Sequence, residues 1–124
     1  MAKLWLMSGA VFGLLSVALG AFGAHALKNV LDEYGRSIYS KAVHYQMFHT
    51  IALLAVGILQ HNFKETNLTP SGISFLAGIV LFSGSLYILS LTGIRWLGIV
   101  TPFGGTAFIV GWLWLIYAMG RQSM

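Results

Sequence analysis

A chain of 124 residues is one domain at most, and 57% of it is apolar against 8% charged, where a soluble domain carries about 25% charged residues. Such a chain would precipitate as a globule in water, so the bilayer is its natural solvent. The formal charge of +4, seven Lys and Arg against three Asp and Glu, sits at segment ends and not in a run, which points to anionic lipid headgroups and away from nucleic acid.

The first predicted element covers residues 4–26. Lys3, an apolar run and Ala24-His25-Ala26 imitate a signal peptide, but the run is about 20 residues and a signal core is about 7–15, so it reads as a membrane anchor. Within it Gly9, Gly13, Ser16, Gly20 and Gly23 fall at alternating steps of four and three, which keeps all five on one side of a helix. A side so poor in side chains invites another helix to backbone-to-backbone distance. In lipid, close packing must replace the hydrophobic effect.

Residues 28–41 are not a simple loop. Leu31, Tyr34, Ile38, Ala42 and Tyr45 form one apolar helical stripe, with Asp32, Glu33, Arg36, Ser37, Ser40 and Lys41 opposite. The expectation is an amphipathic interfacial helix over 29–41, capped by Asn29, running into the second span, with Gly35 as a point of kinking. Further spans are expected over 42–60, 70–91 and 102–119, each near the roughly 20 residues that cross a hydrocarbon core. Thr69-Pro70 and Thr101-Pro102 read as helix starts with a capping threonine, and Gly93 as a terminator. Gly93 to Val100 forms a tight connection carrying Arg95 and Trp96 to the interface. Small residues recur every seven positions at Ser71, Gly78, Ser85 and Thr92, and again at Gly104, Gly111 and Ala118. The whole describes an all-α membrane protein: a single polytopic domain, a four-transmembrane-helix bundle with both termini on one side. Lys28, Arg36, Lys41 and Arg95 on the loop face against Lys3, Lys64 and Arg121 on the terminal face favour a cytoplasmic loop face.

The polar side chains of the spans gather toward the loop face: His25, Tyr45, Gln46, His49 and Tyr87, with Arg95 and Thr101 at the rim. Tyr45 and Gln46 lie four and three residues before His49 and so share its face, while His44 points about 140° away. An ionisable group within a span marks a functional site by default. The same His49 also reads as a neutral imidazole bonded to a carbonyl or hydroxyl across helices, His25 as a helix C-terminal cation, and His44 as a snorkelling side chain.

Catalytic inventory is thin. Asp32, Glu33 and Glu65 are the only carboxylates, all at interfaces, so no acid pair and no Ser-His-Asp set assembles within the bilayer. The chain has no cysteine, which excludes disulfides, thiolate catalysis and Cys-based metal sites. A metal or haem iron would need two or three of His25, His44 and His49 to converge. No cofactor and no metal is expected, and no enzymatic activity.

Gly20-Ala21-Phe22-Gly23-Ala24-His25, Tyr45-Gln46-Met47-Phe48-His49, Gly84-Ser85-Leu86-Tyr87, Thr92-Gly93-Ile94-Arg95-Trp96 and Thr101-Pro102-Phe103-Gly104-Gly105 occur in order along the chain. Together with Gly111-Trp112 they resemble the small four-span inner-membrane proteins classed as domain-of-unknown-function family 423, with relatives in animal mitochondria. The resemblance implies a multi-pass inner-membrane protein with no established activity, loosely associated with membrane integrity and homeostasis. His44 stands where similar proteins often carry arginine, which leaves His25 and His49 as the better pair of ligands. The expected function is therefore a non-enzymatic bundle working through lipid headgroups at Lys28, Arg36, Lys41 and Arg95, through a membrane-protein partner or through a second copy. The alternative is a binding or transport module for haem, metal or a lipophile, with a pocket around His25, Gln46, His49 and Tyr87.

Overall fold

A computed structural model describes residues 1–123. Its elements are α1 (Ala2–His25), α2 (Glu33–Asn62), α3 (Thr69–Gly78), a π-helical turn (Ile79–Ser83), α4 (Gly84–Thr92), a 3₁₀ turn (Arg95–Ile99) and α5 (Thr101–Gly120). The middle three run on as one rod, so four rods are long and apolar enough to cross a membrane: Ala2–His25, Glu33–Asn62, Thr69–Thr92 and Arg95–Gly120.

The amphipathic stretch expected over 29–41 begins later and stays in line with α2. Residues 26–32 form turns, and the cap is Asp32 rather than Asn29. Its carboxylate accepts the Gly35 N–H at 2.7 Å, occupying one of the donors that a helix start leaves unpaired. Gly35 neither kinks nor breaks the helix. It is buried, and an added Cβ there would meet Asp32 Oδ1 at 3.0 Å. Two helices nevertheless start on the expected proline, with Pro70 and Pro102 in their first turns. Neither Thr69 nor Thr101 caps with its side chain. The Thr101 hydroxyl instead meets Ser85 Oγ at 2.6 Å, tying α5 to α4. Gly93 ends α4 in the left-handed region at φ 72°, its N–H on the Leu89 carbonyl at 2.8 Å.

The rods pack in chain order: α1 along α2, α2 along α3–α4, and α5 along α3 and the π turn. Glycines lie in these contacts. On α1, Gly9 faces Leu54, Gly13 faces Thr50, Gly20 faces Val43 and Gly23 faces the Tyr39 ring, while Ser16 is buried and donates to the Phe12 carbonyl of its own helix. On the other side of the molecule the Phe108 ring covers Gly78, the Phe75 ring covers Gly111, and the Phe82 backbone lies against Gly104. Gly57 and Gly72, outside the small-residue rows of the sequence, take Leu6 and the Trp5 indole. The larger buried core runs from Trp5 through Leu53, Val56 and Phe75 to Phe108, and a smaller one joins Ile38 and Ala42 to Leu86 and Leu89.

One end of the molecule is held by the connection between α2 and α3. Gln60 spans it, donating to the Thr66 carbonyl at 2.6 Å and accepting from the Leu68 N–H at 2.9 Å. Trp114 donates to the Asn67 carbonyl at 2.8 Å, and Gln122 bonds the Thr66 hydroxyl. Met1 lines a cleft beside the same connection, so both ends of the described chain gather there.

Candidate functional site

The polar side chains expected to share one pocket form two separate nodes in the helix contacts. In the first, Gln46 is 2% exposed and lies between three helices. Its Nε2 donates to the Phe12 carbonyl on α1 at 3.1 Å, and its Oε1 accepts from the Tyr87 hydroxyl on α4 at 2.6 Å. Tyr39 stands edge-on to Tyr87, ring centroids 5.2 Å apart, and donates its own hydroxyl to the Leu19 carbonyl at 2.5 Å. Carbonyls already engaged in a helix keep a spare lone pair, and these side chains use it. Ser71 and Ser83 repeat the pattern on the Gly111 and Ala42 carbonyls at 2.7 and 2.8 Å.

The second node is His49, 3% exposed, between α2 and α5. Its Nδ1 lies 2.8 Å from the Tyr45 carbonyl and its Nε2 accepts from Trp112 Nε1–H at 3.0 Å. An indole only donates and a carbonyl only accepts, so the proton of the ring is fixed on Nδ1 and the imidazole is neutral. Phe108 stacks on it with centroids 3.5 Å apart and 7° between planes. Both nitrogens are occupied, so ligating an iron or a metal ion through Nε2 would sacrifice the Trp112 bond. His49 fits its structural reading better than that of a ligand.

Of the other expected site residues, Tyr45 gives its carbonyl to the His49 node, and the rest stand apart. Tyr45 is 44% exposed, its ring against Phe82 at 4.5 Å. His25 is exposed at the end of α1, and His44 is exposed with its Nδ1 3.0 Å from the Ser40 carbonyl. Arg95 is exposed with its guanidinium 5.4 Å from the centre of the Tyr34 ring. Thr101 belongs to the Ser85 contact described above. His25, Gln46, His49 and Tyr87 therefore do not converge on one opening. Gln46 and His49 sit about 60° apart around α2, enough to aim them at different neighbours. Among the described residues, no three His, Cys, Asp or Glu side chains stand close enough to hold a metal ion. Two buried donors lack partners among those residues, Trp5 Nε1 and Thr50 Oγ1.

Sequence reasoning passed over Trp112 and Phe108. A signal existed: an indole on an otherwise apolar helix needs an acceptor, and one turn before it Phe108 carries a ring on the same side.

The residues in these contacts lie largely within a stretch that known families share. Residues 19–105 match the family described as "Protein of unknown function (DUF423)". The chain belongs to the DUF423 family. Among similar proteins, a UPF0382 membrane protein of Staphylococcus saprophyticus is 47% identical over 114 residues, covering 92% of this chain and 94% of its own. One from Staphylococcus aureus is 45% identical over 116 residues, 94% of each chain, and the Bacillus subtilis membrane protein YwdK is 43% identical over 117 residues, 94% and 95%. No solved structure matches. Like these relatives, this DUF423 chain is a membrane protein with several apolar helices.

Proposed function

We propose that this protein is a non-enzymatic component of the inner (cytoplasmic) membrane that supports membrane integrity by occupying and ordering lipid or by docking a membrane-protein partner. One observation carries the reading. The buried polar side chains Gln46, His49, Ser71 and Ser83 are engaged in bonds between helices, while large apolar side chains such as Leu14, Ile51, Ile109 and Ile116 face outward. A bundle built this way offers its surroundings an oily flank and a basic end. In this reading the four crossings leave both termini on one side, and Lys28, Arg36, Lys41 and Arg95 meet anionic headgroups at the opposite, cytoplasmic face.

Deleting the gene from its host and measuring uptake of a membrane-impermeant dye, with and without envelope stress, tests the proposal. The expected result is higher uptake, reversed by the wild-type gene. Unchanged permeability and stress resistance, or a stoichiometric pigment or metal in the purified protein, would overturn it.

A further inference from the structure

A cleft of about 260 Å³ opens between the end of α1 and the first turns of α2. Its α1 wall is Gly20, Gly23 and Ala24, with Val43 and Tyr39 lying against the two glycines, and its α2 wall also carries Arg36, Ser40 and His44. These last three are spaced by four, so they stand in one row about 6 Å apart along the helix. The two helices run in opposite directions, which puts Ala24 and Arg36 at the mouth and Gly20 and His44 at the foot. The cleft is thus cationic and hydroxylic at its mouth and ends at Gly20, Val43 and the His44 imidazole.

Arg36 has one of its five N–H donors on the Lys28 carbonyl at 3.3 Å, which ties the side chain across the mouth and leaves donors in excess. The nearby carboxylate of Asp32 is engaged with the Gly35 N–H and lines the neighbouring cleft instead. Among the described residues no carboxylate lines this cleft and Arg36 does, and a guanidinium fork matches a phosphate better than it matches any neutral group. A free phosphate would use only the mouth. A phospholipid would use the whole cleft.

We propose that this cleft seats one anionic phospholipid, its phosphate on Arg36 and Ser40 and an acyl chain running past Ala24 toward Val43. This rests on the headgroup contacts of the proposed function and narrows them to one place. Another basic side chain of that end, Arg95, lies over Tyr34 in the neighbouring cleft that includes Asp32, and is not part of the seat.

The test uses the full chain purified in detergent, with bound lipid counted by native mass spectrometry. The probes are phosphatidylglycerol, phosphatidylcholine of matched chains, and inorganic phosphate. Wild type should retain one phosphatidylglycerol in preference to phosphatidylcholine, and inorganic phosphate should not displace it. Arg36→Gln should weaken retention about fivefold, the effect of one cation at an anionic surface. Ala24→Leu, which fills the cleft from an exposed position, should weaken it with all charges kept and covers the case in which Arg36→Gln does not fold. Arg95→Gln should leave retention unchanged. Equal losses in Arg36→Gln and Arg95→Gln would overturn the seat and leave diffuse headgroup attraction, and with it the proposed function, standing. Displacement by inorganic phosphate, or no preference over phosphatidylcholine, would overturn it as well.

Discussion

The contact of α1 with α2 and the contact of α3 with α5 both use glycine, yet they differ in what fills the space. Along α1 the facing groups are mostly side chains, Leu54, Thr50, Val43 and the Tyr39 ring, with the Leu54 backbone nitrogen 3.2 Å from a Cβ added on Gly9. The fit loosens in the middle, where an added Cβ on Gly13 or Gly20 would stand 3.4 or 3.5 Å from its neighbour. Between α3 and α5 the facing groups are whole phenyl rings and backbone, Phe75 on Gly111, Phe108 on Gly78 and Phe82 on Gly104. Flexible side chains can shift by a few tenths of an ångström; rings locked in a core and backbone cannot. Small residues of the same kind thus make one interface that is adjustable in its middle, at Gly13 and Gly20, and one that is rigid throughout.

Substitutions can break that contrast or sharpen it. Phe75→Ala empties the rigid side at a fully buried ring and should cost about 3–5 kcal/mol, read by unfolding in detergent. A loss no larger than that of a surface substitution would erase the distinction. Gly104→Ala places a Cβ 2.7 Å from Phe82 Cα, and overpacking against backbone should cost about 3 kcal/mol. Gln46→Leu removes the clasp that joins α1 and α2 to α4, for about 1 kcal/mol, and Tyr87→Phe should add little to it because the two share one bond. A double-mutant cycle measures that shared term. Gly13→Ala should be neutral or stabilising by up to about 1 kcal/mol, since the adjustable side has room and alanine is the better helix former.

The spans were legible because a backbone in lipid must bond to itself, so long apolar runs can only be helices. The start of α2 was harder to read. Asn29 and Asp32 are both capping types, and only the turn over 26–32 decides for Asp32. The π turn at Ile79–Ser83 has no signature in sequence; it becomes visible through the Ser83 hydroxyl on the Ala42 carbonyl and the approach of Gly104 to Phe82. For the site, spacing puts Gln46 and His49 on one face of a helix, whereas the 60° between them aims one at α1 and α4 and the other at α5. Spacing cannot say which neighbours the two side chains meet, and that alone separates a shared pocket from two unrelated clasps. Gly57 and Gly72 escaped for the same reason, since a lone glycine off any periodic row carries no hint of the Leu6 or Trp5 that fills it.

The partners of Gly9, Gly13, Gly20 and Gly23 all belong to the very next helix. Chains leave the ribosome N-terminus first. The glycine row of α1 therefore has its mates before translation passes Asn62, whereas Trp5 waits for Gly72, Gln46 for Tyr87 and His49 for Trp112. Biogenesis then reduces to bringing together two pairs made separately, with Trp5, Gln46 and His49 as the stitches between the early half and the late one.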